Sequence, residues 1–251
     1  MSETITLYVV AASHPCLAVG AALRHKGIAF ERVELWSGVA AVAQRVRFGS
    51  HTVPALRIGR QHVVGSRLIM RALEGLQPDP PIVPRDPAWR HRVDEADRWG
   101  ETVLQEEARW IVLRGIVDKP EALPSYFTGA RMPIPPAPLR RPILRGYYAA
   151  TSRLRGHQDR VADYMLALPS RLAHVDQLIA EGTIGREQPT VADFQIAASV
   201  RLLATLADLR PLLSNRPAHQ LALRLFPDYP GHTAAGAVRV PSPTDSRTDI
   251  P

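Results

Sequence analysis

Thr52-Val53-Pro54-Ala55-Leu56, followed ten residues later by Gly65-Ser66-Arg67-Leu68-Ile69, decides how the rest of this chain is read. The first stretch is a loop running into a strand that starts at a proline. The start of a strand suits a residue with no N–H to give to the ladder. The second is a tight turn whose Ser66 caps a helix from Arg67 to Leu76. Between them, Ala55–Ile58 and His62–Val64 predict two short strands joined by the hairpin-type turn Gly59-Arg60-Gln61. Upstream, residues 4–10 alternate and are β-branched, which predicts a strand buried in a sheet. Ala11-Ala12-Ser13-His14-Pro15-Cys16 is a turn into a helix with Leu17, Leu23 and small alanines on its apolar face. Lys26-Gly27 ends that helix with a cation in the last turn and a C′ glycine. Residues 28–35 alternate again. Strand, helix and strand within about 30 residues make a βαβ unit, hence two parallel strands and a right-handed crossover. A short helix is predicted over 38–48.

Beyond this unit the composition changes. Gln77-Pro78-Asp79-Pro80-Pro81 marks a boundary, and 78–86 is the expected linker between a first unit over 1–77 and a helical one over 87–230. Asp86-Pro87 starts a helix, with Asp as N-cap and Pro at the first position. It is predicted to run to about residue 114, with Trp89, Val93, Ala96, Trp99, Val103 and Leu104 on one side. Residues 119–142 hold seven prolines and predict an irregular excursion with a short helix near 121–128. Further helices are expected over 143–156 and 158–180, with Pro169 inside the latter. Thr190-Val191-Ala192-Asp193 is a capping box with Asp in the acid position. It opens a helix to Leu206 that is apolar on almost all sides, as a central bundle helix is. One more helix is expected at 215–225. Residues 231–251 lack periodicity and predict a mobile tail.

The composition narrows the function classes. An apolar content of 45 % supplies a core. With a single cysteine, Cys16, an intrachain disulfide and a cysteine-rich metal site are excluded, and no metal is expected. No basic segment leads into a long apolar run at the N-terminus, and no run approaches the ~18–20 residues of a membrane span. A soluble, cytoplasmic protein with no membrane partner is expected. The net charge of +7 is carried almost wholly by arginine, since Lys26 and Lys119 are the only lysines. No basic helix with interleaved aromatics accompanies it, so nucleic acid is not the expected partner. An arginine-rich surface around an anionic ligand is the milder reading.

Val53-Pro54, Gly65-Ser66 and Thr190-Val191-Ala192-Asp193, in this order and at these separations, resemble the glutathione S-transferase family over residues 4–225. The fold implied is a thioredoxin-like α/β domain followed by an all-helical bundle domain. High arginine and alanine usage fits a GC-rich bacterial genome, so a bacterial, actinobacterial-type member is expected. The resemblance implies a cis Pro54, with Val53 offering its backbone to the cysteinyl part of a bound tripeptide. It implies that Ser66 meets the γ-glutamyl carboxylate. Ser13 and Cys16 fall on the first and last positions of a thioredoxin-type Cys-x-x-Cys. A helix N-terminus stabilises an anionic sulfur, and the resemblance makes Ser13 the donor that holds the co-substrate thiolate. Cys16 reads as a buried inert thiol or, alternatively, as a reactive thiolate. His14 is expected to be exposed beside the site, as a proton donor or a ligand contact. His51, Arg45 and Arg47 lie in the segment that usually supplies a basic contact for the glycyl carboxylate. Where many relatives have Glu or Gln before the serine, this chain has Gly65, followed by Arg67. The γ-glutamyl amine then lacks a partner, while the carboxylate gains one. The co-substrate is therefore glutathione or another low-molecular-weight thiol such as mycothiol. The acceptor pocket is expected against the first long helix, with Trp99 and Trp110 as candidates.

An enzyme adding a small thiol to an electrophilic small molecule is thus the leading reading, as a homodimer by resemblance. A non-catalytic ligand-binding or interaction module of the same fold is the second. An isomerase or lyase with a repurposed thiol site is the third.

Overall fold

The computed structural model of the protein describes residues 4–35, 53–131, 133–157 and 160–240. Among these residues one sheet holds four strands, β1 (Ile5–Val9), β2 (Glu31–Glu34), β3 (Ala55–Ile58) and β4 (Gln61–Val64), in the order β2-β1-β3-β4. β1 lies inside the sheet between β2 and β3, and four of its five residues are buried, on both faces. β2 runs parallel to it, with Thr6 opposite Glu31 and Val9 opposite Glu34. The crossover between them is α1 (His14–His25), which ends at Lys26 with Gly27 at φ +66°. That left-handed residue is where a helix accepts glycine without a Cβ clash. β3 pairs antiparallel with β1 (Tyr8 opposite Ala55), and β4 antiparallel with β3 (Ala55 opposite Val64). α2 (Ser66–Leu76) follows.

Its start differs from the sequence expectation. Gly65, at φ +93°, is the N-cap, and Ser66 is the first helical residue rather than the cap. The turn needs a backbone conformation closed to residues with a Cβ, so the glycine carries it and the serine is drawn into the first turn. The helix expected over 38–48 lies outside the described residues.

The proline-rich connection is tied down from both sides. Glu74 Oε1 accepts from the N–H groups of Ile82 and Val83 at 2.5 and 3.0 Å. Lys26 Nζ donates to that same oxygen at 3.2 Å and to the Pro80 carbonyl at 2.8 Å. One of the two lysines is thereby a buried strut, only 2 % exposed.

The long helix after the connection is α3 (Pro87–Trp99), a wide π-turn over Gly100–Leu104, and α4 (Gln105–Asp118). Asp86 caps α3 by accepting from Trp89 N–H at 2.7 Å. At the π-turn a Cβ on Gly100 would stand 2.9 Å from Ile196 Cγ1, so the glycine permits the close approach of a later helix. A 3₁₀ turn at 120–122 and the single-turn α5 (Leu123–Tyr126) fill the first part of the proline-rich stretch. α6 (Ala137–Arg155) starts six residues before the expected 143. Pro138 stands in its first turn, where an N–H has no partner to lose, and Pro142 does not end it. α7 (Val161–Ala180) passes Pro169 in the same way.

α8 (Val191–Leu203) is the centre of the helical part, and every residue in it except Arg201 is buried. It packs against α1, α3, α4 and α10 (Pro217–Leu225), which follows the single-turn α9 (Arg210–Leu213). Asp193 accepts from the Thr190 N–H at 2.8 Å, the Thr190 hydroxyl at 2.6 Å and the Gly185 N–H at 2.6 Å. Thr190 Oγ1 in turn accepts the Asp193 N–H, completing the capping box.

The mobile tail expected from residue 231 is corrected over 231–240, which dock onto the helices. Thr233 bridges to Leu206, its N–H donates to Thr205 O at 2.8 Å, and its side chain is fully buried against the Tyr126 hydroxyl at 2.8 Å. Asp208 accepts the N–H groups of Gly236, Ala237 and Val238 at 2.7, 2.8 and 3.0 Å. Fixed acceptors order this segment without any periodicity. No helix among the described residues is long and apolar enough to cross a membrane.

Candidate functional site

Strand register brings three turns to one end of the sheet. Tyr8 faces Ala55 and Ala55 faces Val64, so the chain leaving β1, entering β3 and leaving β4 are neighbours. The turns carry Ser13, Val53-Pro54 and Gly65-Ser66. The Val53–Pro54 bond is cis, and Pro54 O accepts the Gly65 N–H at 2.9 Å, joining two of the turns directly. Ser66, 3 % exposed, opens α2, where the first N–H groups have no intrahelical partner and favour an anion.

The turn into α1 holds Ala12 at φ +58°, a left-handed conformation that costs a residue with a Cβ about 1–2 kcal/mol. Such strain clusters at functional sites. Ser13 is the N-cap by position, yet its hydroxyl makes no capping bond. It hydrogen-bonds the Cys16 side chain instead, across one helical turn. Cys16 is 4 % exposed. Burial pushes its thiol up to about 11, and hydrogen bonds from Ser13 and the Val10 backbone offset this only in part. At neutral pH it is a thiol and a weak nucleophile.

Two expectations for this region change. His14 is not exposed beside the site but 3 % exposed, packed inward with Nε2 unpartnered. Burial, and then the nearby Arg109 charge, hold its imidazole well below its ordinary range, opposed by a hydrogen bond at the Gln105 backbone. It is neutral and screened from solvent. Arg67 is already engaged by an acid of its own fold. Its Nε donates to Asp97 Oδ2 at 2.9 Å, and Arg71 bonds the same oxygen at 3.2 Å and Asp94 at 2.8 Å. These pairs lock α2 to α3, and the Asp97 side chain is fully buried. Gly65 faces open space, and at its φ of +93° a Glu or Gln would be strained. His51, Arg45 and Arg47 lie outside the described residues.

Trp99 and Trp110, the expected acceptor-pocket candidates, both pack with the hydrophobic core. Trp110 is a core residue, 1 % exposed, and Trp99 stacks edge-on against His174 at 4.6 Å. A cavity of about 680 Å³, lined by neither tryptophan, opens against the β1–α1 turn. Its walls are Leu7 and residues 9–12, the Cys16–Arg24 flank of α1, Arg32 of β2, parts of 125–130, Arg201, and 227–232. It touches Cys16 but none of Val53, Pro54, Gly65 or Ser66. The cavity meets the turn at Val10, Ala11, Ala12 and Cys16, the residues that flank Ser13, and does not reach the other two turns. Sequence reading missed this cavity because much of its wall comes from irregular segments that carry no period. It also missed Arg109 on α4, whose charge reaches both His14 and Cys16 and which pairs with Glu106.

Residues 7–81 match the family model described as the N-terminal domain of glutathione S-transferase. No curated protein sequence matches the chain significantly. Among solved structures, a glutathione S-transferase from Rhodospirillum rubrum F11 is 16 % identical with a TM-score of 0.60, over 88 % of this chain and 87 % of that one. Glutathione transferase F2 from Populus trichocarpa is 15 % identical with a TM-score of 0.61, over 89 % and 93 %. A maleylacetoacetate isomerase from Anaeromyxobacter dehalogenans 2CP-1 is 19 % identical with a TM-score of 0.52, over 88 % and 85 %. The fold is that of the glutathione transferases. Within that fold, the end of the sheet where the three turns meet belongs to the part of the chain that the family model matches.

Proposed function

We propose that the protein is a glutathione-transferase-type enzyme that joins a low-molecular-weight thiol to an electrophilic small molecule. The observation that carries this reading is the meeting of the Ser13, cis-Pro54 and Ser66 turns at one end of the sheet, with a cavity directly behind the first of them. Ser66 and the first N–H groups of α2 receive the γ-glutamyl carboxylate, and the Val53 backbone pairs with the cysteinyl part. The Ser13 hydroxyl turns from Cys16 to the co-substrate sulfur and donates to its thiolate. A hydrogen bond to the charged form lowers the pKa of that thiol. The thiolate then forms a C–S bond at the electrophilic carbon, which sheds a leaving group or, after addition to a double bond, takes up a proton. The cavity, inside the ~300–1,000 Å³ range of small-molecule sites, holds the acceptor. Because Gly65 carries no acidic side chain, the γ-glutamyl amine is unrecognised and the thiol is glutathione or a relative lacking that amine. A homodimer belongs to this reading, and light scattering at micromolar concentration checks it.

Thermal-shift titration with glutathione and with mycothiol tests the thiol site. Binding at a hundred times Kd stabilises by about 2.7 kcal/mol. A shift with one thiol, lost in Ser66→Ala, supports the enzyme. The absence of a shift with either favours a second reading, a binding module of the same fold. The commitment of the Ser13 hydroxyl to Cys16 and of Arg67 to Asp97 speaks for that alternative.

A further inference from the structure

The cavity behind the β1–α1 turn is unevenly charged. Arg24, Arg32 and Arg201 line it, and Asp228 is the one acid among its described lining residues. Arg32 shares Glu34 at 3.7 Å. Arg24 lies back along α1, its Nη1 3.5 Å from where a Cβ on Gly20 would stand, so the guanidinium reaches over a residue with no side chain. Arg201 donates from Nε to the Phe226 carbonyl at 2.9 Å and from Nη2 to the Pro227 carbonyl at 3.2 Å. Both acceptors are neutral and orient the guanidinium, and the carboxylate within its electrostatic reach is Asp228, set against the three arginines of the lining.

Tyr229 adds a directional group. Its ring lies 5.6 Å from the Arg201 guanidinium carbon, and its hydroxyl is buried with no hydrogen-bond partner. That hydroxyl stands within electrostatic reach of Tyr126, Arg201 and Cys16, all of which line the cavity. Burial keeps it protonated far beyond neutral pH, so it is a donor. Buried donors are rarely left unused, because the desolvated group costs free energy until something accepts from it. Leu7, Val9 and Leu17 give the same cavity an apolar side.

We infer that this cavity selects acceptors with an apolar body and a carboxylate, the carboxylate being held by Arg201, Arg24 and the Tyr229 hydroxyl. Planar guanidinium forks match a carboxylate through paired N–H donors, and the phenol supplies a third. The inference rests on the reading of the cavity as the acceptor pocket. It deepens that reading by naming a substrate class.

The test is equilibrium binding without any thiol, so that it stands apart from turnover. 4-Phenylbutanoate and its neutral amide are titrated against the full-length protein, followed by tyrosine and tryptophan fluorescence. The acid is expected to bind at least tenfold more tightly. That preference is expected to fall by severalfold or more in Tyr229→Phe, which keeps the ring, and in Arg24→Gln, an exposed helix position that leaves folding intact. Equal binding of acid and amide overturns the inference, as does a preference that survives both substitutions. Thiol conjugation of a neutral aryl halide is measured in parallel. Conjugation without acid preference sinks the inference and leaves the enzyme reading standing. Acid preference without conjugation supports the inference and sinks the thiol chemistry.

Discussion

Ser13 and Cys16 face one another across the first turn of α1, and their environments give them opposite roles. The Ser13 hydroxyl caps nothing, so removing it leaves the helix as it was. A hydrogen bond to a charged partner is worth about 1.5–3 kcal/mol. Ser13→Ala is therefore expected to lower kcat/KM by roughly 10- to 100-fold, while its urea midpoint shifts little. A matched loss of stability would show the hydroxyl to be structural. Cys16 carries a pH signature. Its thiol is raised from 9.0 to about 11 by burial, so the native state keeps a proton that the unfolded chain gives up. The stability this represents is fully present below pH 9 and is lost as pH rises to 11. Two units correspond to about 3 kcal/mol. Urea midpoints of the protein and of Cys16→Ala are expected to converge or cross over that window and to run parallel below it. Parallel behaviour throughout would mean that the thiol is not buried as described. The turns that carry Ser13, Pro54 and Ser66 were legible because local turn chemistry marks them, although Gly65 rather than Ser66 proved to be the cap. The burial of His14 was not, since it depends on Gln105 and Arg109, some ninety residues away in sequence.

At the scale of elements, local signals read well and long-range ones did not. The capping box of α8 is a contact between residues three apart, so four letters announce it, and the geometry follows. Asp193 holds three donors in a fully buried position. Asp193→Ala removes the cap and strands those donors, which together cost about 2–4 kcal/mol. Chemical denaturation measures this, and Thr190→Ser, which keeps the hydroxyl, is expected to lose well under half as much. Equal losses in the two variants would place the energy in packing rather than in the cap. The start of α6 was misjudged because the prolines before 143 were read as breaks, whereas Pro169 was correctly placed inside α7. The π-turn at Gly100–Leu104 left only one mark in the sequence, a glycine inside a helical pattern. That glycine leaves room for Ile196 of α8. The docking of 231–240 had no local mark at all, because its acceptors on Asp208 and Thr205 and its partner Tyr126 come from elsewhere in the chain.

Across the whole molecule, α8 joins the two kinds of architecture by packing on α1 from the sheet side and on α3, α4 and α10 from the helical side. The C-terminal segment then returns over the β1–α1 turn and closes the cavity with residues 227–232. Gly231 is the point at which that return can be broken. Its φ is +111°, and a Cβ there would stand 2.4 Å from the Tyr126 ring. Neither the conformation nor the space admits an alanine, and Tyr126 cannot yield without breaking its bonds to Thr205 and Thr233 at 2.7 and 2.8 Å. Gly231→Ala is therefore expected to detach the segment and remove one wall of the cavity. The thiol niche shares no described residue with that wall, so the two sites should respond separately. KM for the electrophile is expected to rise at least tenfold, while the thermal shift produced by the thiol stays within a degree of the parent protein's. Asp208→Asn, which weakens the grip on residues 236–238 without adding bulk, is expected to move in the same direction by a smaller factor. If thiol binding falls together with acceptor binding in both variants, the segment supports the fold as a whole rather than the cavity, and the division of labour across the β1–α1 turn is wrong.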